Sequence, residues 1–69
     1  MQLSARNQLP GTVTRIRKGV VTAEVVVAIA GGHEIVSVIT LGSVKRLGLK
    51  KGTKVTAVIK SSDVMLGAD

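Results

Sequence analysis

The chain of 69 residues has no cysteine, no aromatic residue and a single histidine. Disulfides are therefore excluded, and His33 with four scattered acidic residues offers too little for a structural zinc site, which takes about four ligands. A core of this size rarely supplies more than roughly 3–5 kcal/mol of stability without such devices. Association with further copies of the chain is the remaining way to stabilise it, so we expect a homo-oligomer.

The lack of aromatic residues also bears on whether the chain binds nucleic acid. A formal charge of +6 implies affinity for anions, but small β-barrels that bind single strands stack bases on aromatic side chains. The basic residues are dispersed, with clusters only at 15–18 and 50–54. The sequence therefore argues against nucleic acid as a partner. A basic β-barrel that binds nucleic-acid phosphates stays open as the alternative function, and a purely structural oligomerisation module is a third.

Long apolar runs and catalytic constellations are missing as well. The longest apolar run, 25–30, is far shorter than the roughly 20 residues of a membrane span, and no signal-peptide pattern opens the chain. We expect a cytoplasmic protein without membrane contact. His33 has no evident acid or nucleophile beside it, and neither glycine-rich nucleotide signature occurs. The sequence predicts a surface histidine and no enzyme.

Branched aliphatic residues dominate the composition, and they alternate along the chain as residues of β-strands do. Val20–Ile29 carries valine on both faces, which indicates contact with another subunit because a half-buried strand normally has one polar face. Gly31-Gly32 predicts a tight turn that joins this strand to the next as a hairpin. The predicted strands are 3–17 with a kink at Pro10-Gly11, 20–29, 33–39 and 53–59.

The segment from Thr40 to Gly48 breaks the β pattern. Thr40 or Ser43 can cap a short helix that ends near Gly48, with a loop as the alternative. Strands, helix, strand and the apolar tail 64–66 give the order β-β-β-α-β(-β). We therefore predict an all-β fold: one domain over 1–69, a small five-stranded barrel of the OB type with one short helix. An SH3-like barrel is the nearest competitor.

Two polar stretches can hold an anion. A tetrahedral dianion needs several converging donors, some of them charged, because charge-assisted hydrogen bonds are roughly twice as strong as neutral ones. The first stretch spans 4–8, the second 60–62, and the helical connection adds two hydroxyls. The candidate oxyanion ligands are Ser4, Arg6, Lys60 and Ser61, with Thr40 and Ser43 as further donors.

The order of these motifs resembles the molbindins, the Mop family of molybdate-binding proteins. The resemblance rests on Ser-Ala-Arg-Asn-Gln-Leu at 4–9, Lys-Gly-Val-Val-Thr-Ala-Glu-Val at 18–25, Ala-Gly-Gly at 30–32 and Thr-Ala-Val-Ile-Lys-Ser-Ser-Asp-Val-Met at 56–65. It covers residues 3 to about 66, nearly the whole chain. The combination is specific, where any one motif alone would be weak.

This resemblance implies an OB-type domain that assembles as a hexamer, a trimer of dimers, and binds molybdate or tungstate between subunits without a cofactor. Ser4, Arg6, Lys60 and Ser61 would hold the anion from one subunit, and Thr40 and Ser43 would close the site from its neighbour. The expected role is storage and homeostasis of the oxyanion. A second oxyanion site would involve Asn7, Gly19, Val20 and Thr22.

Overall fold

The computed structural model describes all residues from 1 to 69. The chain forms four strands and one helix, joined by short turns. The elements are β1 (Asn7–Lys18), β2 (Thr22–Ile29), β3 (His33–Thr40), α1 (Leu41–Leu47) and β4 (Lys54–Ile59). Single 3-10 turns cover Ala30–Gly32 and Ser61–Asp63. No helix of the chain has the length and apolar character needed to cross a membrane.

The four strands make one antiparallel sheet in the order β3-β2-β1-β4. The strand β1 is shared: its second half pairs with β2 and its first half with β4. A bulge at Thr14 interrupts the β1–β2 register between Val13 and Arg15, and bulges increase strand bending and twist. The strands β3 and β4 are therefore the two edges of a bent sheet.

The core lies on one face of this sheet and is small. Only six residues are buried, all of them apolar. Val13, Ala23, Val25 and Val27 form the sheet side of the cluster, and Val44 of α1 packs onto it. The sixth, Val26, is on the opposite face of β2 and is 3% exposed. Both faces of β2 thus bury valine.

The predicted helix and hairpin are confirmed. Thr40 caps α1, since its Oγ1 accepts a hydrogen bond from the Ser43 backbone N–H at 3.0 Å, and Gly48 ends the helix in the left-handed conformation at φ 64°. Gly31 and Gly32 both adopt positive φ in the turn between β2 and β3, a conformation that glycine tolerates without steric cost. His33 is exposed, as predicted.

The first strand begins later than predicted and has its irregularity elsewhere. Residues 3–6 lie outside β1, and Pro10 sits within the strand opposite Thr56. The pairing of β1 with β2 starts only at Gly11, so the missing N–H of Pro10 removes no hydrogen bond to β2. Proline therefore causes no interruption here, and the irregularity falls at Thr14 instead.

The predicted five-stranded barrel differs from the structure in its last strand. The sheet has four strands, and β3 and β4 do not pair with each other. The apolar tail 64–66 forms no strand and is exposed. No strand edge of the same chain pairs with the tail, so these apolar residues form no strand within one copy.

Candidate functional site

The two candidate cations lie at the same end of the sheet, where β1 begins and β4 ends. The β1–β4 ladder closes with the pair Asn7 and Ile59, so the next residues outward on the two chains are Arg6 and Lys60. Both are exposed. The Gln8 side chain donates from Nε2 to the carbonyl oxygen of Ala5 at 2.7 Å, which holds the Ser4–Arg6 segment against the start of β1. Register alone therefore brings residues 54 positions apart in sequence to the same end of the sheet.

No carboxylate neutralises this pair of cations. The single ion pair of the chain joins Arg15 to Glu24 at 4.0 Å, on the other half of β1. Asp63, the acid nearest in sequence to Lys60, forms no ion pair, and its backbone N–H donates to the Lys60 carbonyl at 2.9 Å. Two like charges without a counterion repel each other and attract an anion. The end of the sheet thus carries two positive charges that can attract an anionic ligand.

Hydroxyl groups flank the two cations. Ser4 precedes Arg6 and Ser61 follows Lys60, at the start of the 3-10 turn Ser61–Asp63. Neither hydroxyl takes part in a hydrogen bond within the chain. A serine hydroxyl can rotate to donate to a ligand. One end of the sheet therefore presents a guanidinium, an ammonium and two free hydroxyls.

The remaining candidate donors, Thr40 and Ser43, belong to a hydrogen-bonded group at the start of α1. The Thr40 hydroxyl donates to Ser43 Oγ at 2.9 Å, and Arg46 donates from its guanidinium to the same oxygen at 3.3 Å. Arg46 is a residue that the sequence reasoning missed as part of a site. Its signal was available in the spacing, because residues three apart on a helix lie on one face.

The two groups of donors lie at opposite ends of β1. Thr40 pairs with Thr22 across β2 and β3, and Gly19 donates its N–H to the Thr22 carbonyl at 2.8 Å. Thr40 is therefore close to the turn that follows β1, whereas Arg6 precedes its first residue. All twelve residues of β1 therefore lie between the two groups.

A single chain thus brings four of the six predicted residues of the primary site to one end of the sheet and the other two to the opposite end. It brings Ser4, Arg6, Lys60 and Ser61 to one end and places Thr40 and Ser43 at the other. The predicted second site is divided in the same way, because Asn7 lies with Arg6 while Gly19, Val20 and Thr22 lie with Thr40.

Binding is the chemistry that these residues support. The donors comprise hydroxyls, backbone N–H groups, one ammonium and one guanidinium, and such a set can replace the hydration shell of an oxyanion. No three histidine, cysteine or carboxylate side chains come together.

Comparison with known proteins identifies the family of the chain. The TOBE domain model matches residues 3–66. The chain is 61% identical over 66 residues to molybdenum-pterin-binding protein 1 of Clostridium pasteurianum, covering 96% of this chain and 97% of that protein.

Solved structures show the same similarity. MopII of Clostridium pasteurianum is 60% identical, with a TM-score of 0.92 over 97% of this chain and 100% of that one. The cytoplasmic molybdate-binding protein ModG, solved with molybdate bound, is 52% identical with a TM-score of 0.96. This chain is covered completely and spans 49% of ModG. The chain belongs to the TOBE-domain family and, within it, to the small single-domain Mop proteins.

Proposed function

We propose that this chain binds molybdate and tungstate as intact tetrahedral oxyanions, at sites that form between copies of a homo-oligomer. The observation that carries the proposal is the juxtaposition of Arg6 and Lys60 at the end of the β1–β4 ladder, with no carboxylate paired to either. The similarity to a molybdate-bound structure at 52% identity supports molybdate as the anion.

Each primary site takes its ligands from two subunits. Ser4, Arg6, Lys60 and Ser61 hold the anion from one subunit, and Thr40 and Ser43 close the site from a neighbour. The position of these two sets at opposite ends of β1 supports this division, because one copy cannot join them. Asn7, Gly19, Val20 and Thr22 contribute to a second class of site where more subunits converge. A hexamer built as a trimer of dimers provides both kinds of boundary.

The role that fits such sites is storage and homeostasis of the oxyanion in the cytoplasm, by one domain over residues 1–69, without catalysis. ModG, described as a cytoplasmic protein, supports that location. The pterin in the names of the relatives fits this chain less well than the inorganic anion does, since a flat ring system is normally held by stacking and the chain has no aromatic side chain.

Isothermal titration of the purified full-length protein tests the proposal. Molybdate and tungstate should each give a saturable binding isotherm, with sulfate weaker. A short RNA should give none, because the chain has no aromatic side chain on which bases can stack. Binding through phosphates alone would be recognised by its steep fall with salt. Absence of molybdate binding by folded protein would overturn the proposal, and RNA binding in its place would favour the nucleic-acid alternative.

A further inference from the structure

Three polar side chains at α1 form one hydrogen-bonded group. The Thr40 hydroxyl donates to Ser43 Oγ at 2.9 Å, and the Arg46 guanidinium donates from Nη2 to the same oxygen at 3.3 Å. The Thr40 oxygen in turn accepts the backbone N–H of Ser43 at 3.0 Å. Ser43 is thus the centre of the group, because every one of these bonds involves it.

These bonds occupy the acceptor positions of the Ser43 hydroxyl. A serine hydroxyl has two lone pairs and one hydrogen. Thr40 and Arg46 each donate to the oxygen, so both lone pairs are used, whereas the hydrogen donates to no other group of the chain. Toward a ligand the Ser43 hydroxyl can therefore act only as a donor, and an oxyanion is a ligand that accepts.

Arg46 has no competing partner within the chain. Its side chain is exposed, and Ser43 Oγ is the one side-chain atom to which it donates. The single ion pair of the chain joins Arg15 to Glu24, so no carboxylate offsets the Arg46 charge. A hydroxyl whose oxygen accepts from a cation becomes a stronger donor, because hydrogen bonds in a chain polarise one another. The uncompensated guanidinium therefore strengthens the donor that Ser43 presents.

Lys45, the neighbouring residue of α1, lacks this arrangement. It carries the same charge in the same last turn of the helix and is also exposed. Its side chain makes neither a hydrogen bond nor an ion pair within the chain. The comparison of Lys45 with Arg46 thus separates the effect of positive charge from the effect of the bond to Ser43.

We propose that Arg46 is a positioning residue of the oxyanion site, which holds the Ser43 hydroxyl so that its hydrogen is presented to the bound anion. This role rests on the proposed function, in which Ser43 closes the site of a neighbouring copy. Arg46 acts through Ser43 and does not itself contact the anion. A hydroxyl that is fixed before the anion arrives loses less rotational freedom on binding, and such preorganisation raises affinity.

A double-mutant cycle, measured by isothermal titration of the full-length protein with molybdate, tests this role. Arg46→Met removes the guanidinium and should raise the Kd about threefold to tenfold, the size of one ordinary hydrogen bond. In a Ser43→Ala background the same substitution should change the Kd by less than about twofold, because two residues that act through one bond are not additive. Equal fold-changes in both backgrounds would overturn the proposal.

Lys45→Met is the matched control, since it removes the same charge from the same turn of α1. We expect its Kd to stay within about twofold of the wild-type value, because an exposed charge without a partner contributes little. Arg46→Lys keeps a charged donor on a long stem and should bind molybdate more tightly than Arg46→Met. A Kd for Lys45→Met as high as that for Arg46→Met would mean that net charge alone is responsible, and would contradict the bond to Ser43.

Chemical denaturation of the same variants separates positioning from folding. Arg46 is exposed, so Arg46→Met should keep the wild-type midpoint while its Kd rises. A lower midpoint without a change in Kd would make the role of Arg46 structural and overturn the proposal. Wild-type protein that binds no molybdate would contradict both proposals, whereas wild-type protein that binds it and an Arg46→Met variant with the same Kd would contradict the role of Arg46 alone.

Discussion

At the scale of single residues, Arg6 and Lys60 carry the largest share of the proposed function. Both are flexible, exposed side chains in one copy, and their common position follows from the pairing of Asn7 with Ile59. A hydrogen bond to a charged group contributes about 1.5–3 kcal/mol when its partner is otherwise left unsatisfied. Replacing either residue alone should therefore change the binding constant for molybdate measurably.

We predict that Arg6→Ala and Lys60→Met each raise the Kd for molybdate by roughly tenfold to a hundredfold, the change that corresponds to such a loss. Isothermal titration measures this directly. Lys54→Met, on the same strand β4 but at its other end, removes the same charge from the chain and is the matched control. Equal effects of Lys54→Met and Lys60→Met would mean that net charge alone attracts the anion.

Gly11 is the residue whose replacement should damage the fold most directly. A Cβ at this position would lie 2.5 Å from the Ala28 carbonyl oxygen and 2.6 Å from Val27 Cγ1, so the β1–β2 contact would have to open. We expect Gly11→Ala to lower the free energy of unfolding by about 1–3 kcal/mol, the usual cost of overpacking. Chemical denaturation at fixed protein concentration measures this.

Gly42 provides the contrast. Its added Cβ would be 3.8 Å from the nearest atom, Thr40 Oγ1, and its position inside α1 favours alanine by about 0.5–1 kcal/mol. Gly42→Ala should thus stabilise the protein in the same denaturation experiment. Destabilisation by both substitutions to a similar extent would show that the close approach at Gly11 is not the cause.

At the scale of elements, α1 depends on Thr40, which has two tasks. Its hydroxyl caps the helix through the Ser43 N–H, and in the proposal it also helps to close the site of a neighbouring copy. Thr40→Ala should lower stability by about 1 kcal/mol, as loss of a cap does, and should weaken molybdate binding. Thr40→Ser keeps the hydroxyl and should restore both, measured by denaturation and by titration. A Thr40→Ser protein as defective as Thr40→Ala would argue against the hydroxyl in either role.

The elements also show what the sequence can predict. The helix and the β2–β3 hairpin depend on local signals: a Thr cap, a Gly after the last turn, and two glycines between alternating segments. These local signals are sufficient to predict both elements. The start of β1 and the place of its irregularity depend on where β2 and β4 pair with it, which is a long-range property, so Pro10 was misleading as a local signal.

The same limit applies to the candidate site. The residue types, Arg6, Lys60 and their serines, follow from chemistry and from the resemblance to a family. Their proximity follows from the register of β1 against β4, which no local pattern specifies. The fifth strand is a further case, because the apolar residues 64–66 predict a strand although no strand edge of the chain pairs with them.

At the scale of the whole molecule, one copy leaves many apolar side chains uncovered. Six of 69 residues are buried, and apolar side chains such as Val20, 94% exposed, Val38, 67% exposed, and Leu66 remain on the surface. Exposed apolar area of this kind marks contact surfaces. We predict a light-scattering mass that is a multiple of 7.1 kDa, with a thermal midpoint that rises with protein concentration because association stabilises the folded chain. A stable monomer with a concentration-independent midpoint would contradict this.

The formal charge of +6 adds a second property of the whole molecule. Molybdate should bind more weakly as ionic strength rises, since long-range attraction between the cationic surface and the anion is screened over about 8–10 Å at 0.1–0.15 M salt. The dependence should be shallow, because Arg6 and Lys60 act at contact distance. Titration across a series of sodium chloride concentrations measures it, and a slope as steep as that of nucleic-acid binding would favour the phosphate-binding alternative.

Native mass spectrometry of the protein with molybdate tests the central claim most directly, because it reports subunit number and bound anions in the same peak. We predict oligomer peaks that carry whole numbers of molybdate ions, and monomer peaks that carry none, since one chain brings together only Ser4, Arg6, Lys60 and Ser61. Molybdate retained on the monomer, or oligomers that bind none, would contradict an oxyanion site built between copies.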